Sequence, residues 1–316
     1  MTGGRGFIGS RLVSALVRDG HSVVSLSRNA AGFNRDGVTF VQADLAAENC
    51  QLQAFVSGCD VLFNCAGEVA DINVMHQLHV DGTRRLLEAV GSESAKSGQK
   101  IHWVQLSSVG VYGPPLDSSI ERVVTEESAV APVGDYEITK YLSDELVLHA
   151  AMRNEITCAV LRPSNVFGAG MPNQSLVSLI SFVKKRLFFY VGRPGAIATY
   201  VHVDDVVEAL LRCATHPYAK NGEVFNLSND CGWEDLINGV AHACNLPRPS
   251  FRVPEWFVRA CVSILSRGFG IPLTQKRVDA LVTRTSYPFA KIDAVFDFRP
   301  KRYVPDAIWE LVADVR

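Results

Sequence analysis

The sequence predicts a doubly wound α/β fold, a parallel sheet with helices on both faces, and three observations carry that expectation. Apolar runs such as Asp60-Val61-Leu62-Phe63-Asn64-Cys65 are continuous rather than alternating, as strands covered by helices on both sides should be. Such runs alternate with helical periodicities along the first half of the chain. The chain also opens on Thr2-Gly3-Gly4-Arg5-Gly6-Phe7-Ile8-Gly9, a glycine-rich turn leading straight into an apolar helix.

In order, residues 7–19 read as a helix with Ile8, Leu12, Leu16 and Val17 inward, ended by Gly20, and residues 23–27 as a strand. Short apolar strands are expected at 38–42 and 61–65, helices near Leu52 and over 75–95, and a strand over 102–106. Residues 113–132, with three prolines and several acids, are too irregular for a core element and should border the site. A helix follows over 135–154, with Leu142, Leu146 and Ala150 as its apolar stripe, and then a strand over 158–161. After Phe167 the alternation becomes irregular: 168–172 is a loop, and helices such as 233–244 mix with short strands. Residues 1–167 are therefore expected to form the dinucleotide-binding domain. Residues 168–316 should form mainly a smaller substrate-binding lobe, interleaved with it.

One expectation concerns the opening strand. A dinucleotide-binding unit places a central strand immediately before its glycine turn, yet this sequence begins one residue before Thr2. Unpaired buried backbone groups on the two neighbouring strands would cost about 1–3 kcal/mol each, so the first strand reads as missing, with the true start upstream or the sequence a fragment.

The glycine turn allows close approach of a pyrophosphate, and the helix behind it offers unpaired N–H groups and a positive dipole end. Far downstream, Tyr136-Glu137-Ile138-Thr139-Lys140 sets a phenol and an ammonium on one helix face, with Ser107-Ser108 after an apolar strand between the two motifs. A phenol titrating near ~10 is a poor base at neutral pH, and each unit of lowering requires about 1.4 kcal/mol. Lys140 is expected to supply part of it, since an opposite charge within a few ångströms shifts a pKa by roughly 1–3 units. Together the motifs point to redox chemistry on a dinucleotide.

Composition narrows the alternatives. A formal net charge of −2 removes any argument for nucleic acid, and the 47% hydrophobic content supports a large core. Lys184-Lys185-Arg186 reads as a helix C-terminus. No apolar run reaches a membrane span; the stretch 256–265 is the most apolar late in the chain, and Arg259 and Arg267 punctuate it. The eight cysteines show no C-x-x-C pair and no metal spacing, so no metal is expected. Read as reduced core residues, they suit a cytoplasmic location.

The glycine turn and the Tyr136/Lys140 pair are joined by Ala43-Asp44-Leu45, Asn64-Cys65-Ala66-Gly67, Ser107-Ser108-Val109-Gly110-Val111-Tyr112-Gly113, Leu161-Arg162-Pro163-Ser164-Asn165-Val166-Phe167-Gly168 and Val201-His202-Val203-Asp204-Asp205. On these motifs the chain resembles the extended short-chain dehydrogenase/reductases, the NAD(P)-dependent epimerase/dehydratase family with its Rossmann domain. The resemblance implies Ser108, Tyr136 and Lys140 as catalytic residues. It implies dinucleotide contacts from Gly3, Arg5, Gly6, Phe7, Ile8, Arg28, Asp44, Leu45, Cys65, Ala66, Gly67, Ser107, Tyr136, Lys140 and Pro163, with Asp44 at the adenine. Substrate contacts would come from Ser108, Asn165 and Arg193.

Departures from the family pattern bear on the reaction. Dehydratases carry an acid right after the catalytic serine or threonine, where this chain has Val109 and Gly110, so dehydration is not expected. Many UDP-sugar enzymes carry a diphosphate-binding arginine where Ala198-Thr199-Tyr200 stands here, leaving Arg193 as the substitute. His79 takes the place of a common asparagine and reads as a helix-packing residue. Asp204-Asp205 read as an N-cap for a helix starting near Val206.

Arg28 ends the second strand where NAD-specific relatives place an acid, and Arg5 sits in the glycine turn, so NADP(H) is favoured and NAD(H) stays open. The expected function is hydride transfer at a secondary alcohol or ketone, foremost a nucleotide-sugar 4-ketoreductase in polysaccharide precursor synthesis. A UDP-sugar 4-epimerase, a 3β-hydroxysteroid- or dihydroflavonol-type ketoreductase and a non-catalytic NADP sensor are the alternatives. The partner is a small-molecule substrate, with a homodimer left open.

Overall fold

The computed structural model describes residues 1–29, 36–265 and 274–312. Strand β1 (Val23–Ser27) pairs in parallel with β2 (Val38–Gln42). Strands β3 (Val61–Asn64), β4 (His102–Leu106), β5 (Thr157–Pro163) and β6 (Asn221–Leu227) form a second parallel set in that order. Met1 and Thr2 lie between β1 and β3. The Leu26 N–H donates to the Met1 carbonyl at 3.0 Å, the Met1 amino group to the Val24 carbonyl at 2.5 Å, and the Thr2 N–H to the Phe63 carbonyl at 2.9 Å. These two residues thus pair backbone groups of both neighbouring strands just ahead of the glycine turn.

Helix α1 (Phe7–Arg18) brings Leu12 and Leu16 to one face of the sheet, against Phe63, Val104, Ala159 and Phe225. Across the other face, α2 (Gly82–Ser97) brings Leu86 and Val90, and α3 (Asp135–Met152) brings Val147 and Ala150, against Leu62, Trp103 and Cys158. Neighbours such as Leu62 and Phe63, or Trp103 and Val104, therefore enter opposite cores, which is why these strands carry no polar alternation.

Beyond β5 a second core forms around Leu176 and Ile180 of α4 (Ser175–Lys184). Helix α5 (Val203–Thr215) and β6 return to the first core, as do Ile292, Phe296 and Phe298. Helix α6 (Trp233–Ala243) then rejoins the second core through Leu236, Ile237 and Val240. Helix α4 ends at Lys184, the start of the basic triplet. In α7 (Glu255–Leu265), Arg259 pairs with Glu255 and Asp279; Arg267 lies outside the described residues.

Three expectations are corrected. The apolar stripe expected on α3 holds at Ala150 only: Leu142 is exposed and Leu146 half-buried, while Lys140, Ser143 and Asp144 face inward with Val147 and Ala150. Hydrogen bonds to buried polar groups, rather than apolar contact, hold much of that face. The helix expected over 75–95 starts at Ile72 and is broken by a π turn, Gln77–Asp81, before α2. Asp204 and Asp205 do not N-cap a helix near Val206: α5 starts at Val203, and the His202 ring nitrogen accepts the Asp204 N–H at 3.1 Å. Asp205 instead accepts the backbone N–H groups of Lys301 and Arg302 at 3.1 and 3.0 Å, tying the C-terminal segment to α5.

Candidate active site

The glycine turn fits the cradle its sequence suggests. Gly3 has φ +67°, and a Cβ there would stand 2.5 Å from the Cys65 carbonyl oxygen, while one at Gly9 would meet the Gly3 oxygen at 2.0 Å. Only glycine allows both approaches. Helix α1 has no side-chain cap, which leaves the first-turn N–H groups of Phe7 and Ile8 for an anion. Their side chains turn elsewhere: Ile8 packs on the first core, and Phe7 on the second, under the Arg11 guanidinium.

In front of the turn lies a cleft of about 440 Å³ whose lining includes Gly3, Arg5, Gly6, Arg28, Asp44, Leu45, Cys65, Ala66 and Gly67. Ser27, Asn29, Glu68, Val74 and Leu78 also line it, and the sequence reading had not singled these out. Arg5 donates to the Asn29 carbonyl at 2.7 Å, so its guanidinium sits at the end of β1 beside Arg28. Asp44 lines the cleft and also accepts the Ala46 N–H at 3.0 Å, capping its own turn. A glycine cradle, an uncapped helix N-terminus and two guanidiniums suit the phosphates of a dinucleotide.

Lys140 is buried on α3, and its ammonium donates to the Leu106 carbonyl at 2.8 Å. It lies 3.8 Å from where a Gly67 Cβ would stand, so it borders the cleft wall. Tyr136 occupies the preceding turn. Burial pushes its phenol up to about 12, and the carboxylates of Glu137 and Asp144 add to the rise. The expected lowering by Lys140 is thus not seen in the protein alone: the ammonium is engaged by the Leu106 carbonyl, and burial pushes its own pKa down.

The two serines part company. Ser107 is buried, donates its hydroxyl to Asp144 at 2.7 Å and its N–H to the Leu161 carbonyl at 2.8 Å. Ser108 is half-buried and accepts the Gly110 N–H at 3.1 Å, capping the turn Val109–Tyr112. Pro163 ends β5 beside them in the fold's order. Behind the serines the structure reveals a buried ion pair, Asp144 with Arg162, which the sequence reading did not single out. The available signal was the spacing of Lys140 and Asp144, one helical turn apart.

On the lobe side, the exposed Asn165 donates to the Thr199 carbonyl at 3.0 Å and so holds that loop. Ala198 is buried in a strand pair with Cys231. Arg193 is exposed, and Arg284 clasps its loop by donating to the carbonyls of Pro194 and Gly195. The exclusion of dehydration is also weakened, because the Glu137 side chain stands over Gly110, its Cγ 2.8 Å from where a Cβ would be. A carboxylate therefore reaches the stretch after Ser108 from α3 rather than from the turn itself.

A glycine cradle at the C-terminal edge of a parallel sheet, with a Tyr-Lys helix alongside, defines a dinucleotide-binding α/β protein. The chain belongs to the NAD dependent epimerase/dehydratase family, which it matches over residues 1–228. It is accordingly a nicotinamide-dinucleotide-dependent enzyme of that family. A curated relative, the sterol-4-alpha-carboxylate 3-dehydrogenase (decarboxylating) of Mus musculus, is 24% identical over 97% of this chain and 87% of its own. The dTDP-6-deoxy-L-talose 4-dehydrogenase (NAD(P)(+)) of Kitasatospora kifunensis is 34% identical over 57% of this chain and 55% of its own. Among solved structures, UDP-glucuronic acid 4-epimerase of Bacillus cereus in complex with NAD superposes with a TM-score of 0.74 at 17% identity, covering 99% of this chain and 95% of that one. It shares the fold. No helix among the described residues is long and apolar enough to cross a membrane.

Proposed function

We propose that this chain is a cytoplasmic NADP(H)-linked ketoreductase, foremost of a nucleotide-sugar 4-ketone. The observation that carries the reading is Lys140 of α3, 3.8 Å from where a Gly67 Cβ would stand in the wall of a cleft that Arg5 and Arg28 also line, with Tyr136 one helical turn before it. Arg5, Arg28 and the glycine turn would hold the dinucleotide, with Asp44 at the adenine, and Lys140 would hold the sugar next to the nicotinamide. That nicotinamide, when bound, supplies the hydride. Ser108 orients the ketone oxygen, and Tyr136 gives it a proton. A phenol held protonated by burial is the correct form for reduction. Alcohol oxidation needs the phenolate, so its rate is expected to climb with pH across the neutral and alkaline range while reduction does not, which a pH–rate profile in both directions checks.

A second reading, an apolar ketone, is favoured by the burial of Ala198 where a diphosphate-binding arginine would stand, and by the near full-length match to a sterol dehydrogenase. Activity on a panel of 4-keto nucleotide sugars and 3-ketosteroids separates the two. Arg5→Ala with Arg28→Ala is expected to weaken NADPH binding about 10- to 100-fold while leaving NADH little changed, as loss of charged hydrogen bonds to one phosphate would. Tighter binding of NAD than of NADP by the unmodified protein would sink the cofactor assignment. Bound NAD recovered in stoichiometric amount, with UDP-hexose interconversion, would make it an epimerase instead.

A further inference from the structure

The π turn Gln77–Asp81 carries His79 into the protein, 3% exposed, at a junction the mechanism above does not use. We propose that His79 is a positioning residue which, as one neutral ring, registers the wall of the cofactor cleft against the catalytic helix. The proposal rests on the dinucleotide reading above. His79 Nε2 accepts the Glu68 backbone N–H at 2.9 Å, so that nitrogen carries no proton. Nδ1 then bears the ring hydrogen and donates to the Thr139 hydroxyl at 2.8 Å. Thr139 passes its own hydrogen to the carbonyl of Asp135 at 2.8 Å or of Tyr136 at 3.1 Å. A single tautomer satisfies every group along this path.

The path joins two things a reductase must keep in register. Residues 65–68 line the cleft, and their backbone is pinned at both ends. Cys65 and Ala66 donate to the Thr2 hydroxyl at 3.1 and 3.0 Å, whereas Glu68 donates to His79. Of these two pins, the His79 pin continues through Thr139 to the first turn of α3, where the ring also meets Tyr136 edge-on with centroids 5.8 Å apart. Protonation would remove the acceptor for Glu68. Burial and the nearby Lys140 ammonium oppose it, holding the imidazole far below its ordinary range, at about 3. A π turn in a helix recurs at functional sites, and here it sets the ring between wall and helix.

His79→Phe keeps a ring and removes both hydrogen bonds. Calorimetric titration is expected to show NADPH binding weakened about tenfold, with the thermal midpoint lowered by only a few degrees because the Glu68 amide is half-buried and water can reach it. Thr139→Val, which cuts the other end with His79 intact, should weaken binding in the same direction, and the double variant should lose little more. Two measurements need no dinucleotide and stand even where His79→Phe fails to fold. Nitrogen NMR of the unmodified protein should report the Nδ1-protonated ring across about pH 5 to 9, and amide exchange should show Glu68 protection lowered in Thr139→Val, whose ring has lost the partner that fixes its tautomer. Unmodified affinity in both single variants, or an Nε2-protonated ring, overturns the proposal. An unmodified protein that binds neither NADPH nor NADH, yet shows the Nδ1 tautomer and the protected Glu68 amide, overturns the dinucleotide reading and leaves the clamp standing.

Discussion

Tyr136→Phe is expected to lower turnover of a ketone substrate by at least about 100-fold, the low end of general acid contributions, with dinucleotide affinity nearly unchanged. The substitution removes only the proton donor. The ring stays and keeps its edge contact with His79. Lys140→Met should differ by weakening both turnover and binding, because the ammonium that holds the Leu106 carbonyl also borders Gly67 in the cleft wall. Steady-state kinetics with dinucleotide titration of each variant checks both. Near-normal turnover in Tyr136→Phe would remove the phenol from the mechanism.

What could be read from the sequence was what local chemistry dictates. The glycine turn is recognisable because a positive φ at Gly3 and a backbone oxygen 2.0 Å from a Cβ at Gly9 admit no other residue type. Strand β4 is readable at 102–106 because both of its faces are buried, so that Trp103, Val104 and Leu106 stand without polar alternation and even His102 and Gln105 lie inside. The inward face of α3 was misread for the complementary reason: Lys140, Ser143 and Asp144 are buried through partners, and an apolar period cannot reveal partners on distant segments. Ser107 and Asp144 lie 37 residues apart, and Asp144 and Arg162 lie 18 apart. The π turn was invisible as well. Adding one residue to a turn leaves composition untouched while rotating everything after it, which is how His79 comes to bond both the Glu68 amide and the Thr139 hydroxyl.

The largest effect on stability is expected at the corner that the apolar pattern overlooked. Arg162 reaches Asp144 Oδ2 through Nε and Nη2, both at 3.1 Å, and the Ser107 hydroxyl donates to the same oxygen. The third guanidinium nitrogen donates to the Tyr112 hydroxyl at 3.0 Å, which in turn donates to Asn226. Both charged side chains are almost wholly removed from water, at 5% and 0% exposure, so each depends on the other for its desolvation to be offset. Asp144→Ala alone strands a buried guanidinium and should cost about 3–5 kcal/mol in denaturant unfolding. Asp144→Leu with Arg162→Met fills much of the same volume without charge and should recover most of that loss, since a buried pair roughly breaks even against apolar side chains that fit. The recovery should be structural only: Lys140 and Tyr136 stand on the same helix within the field of Asp144, so the double variant is expected to fold yet to shift the pH dependence of turnover. A double variant as unstable as the two single losses added together would show that the charges act independently, and that packing rather than pairing sets the stability of this corner.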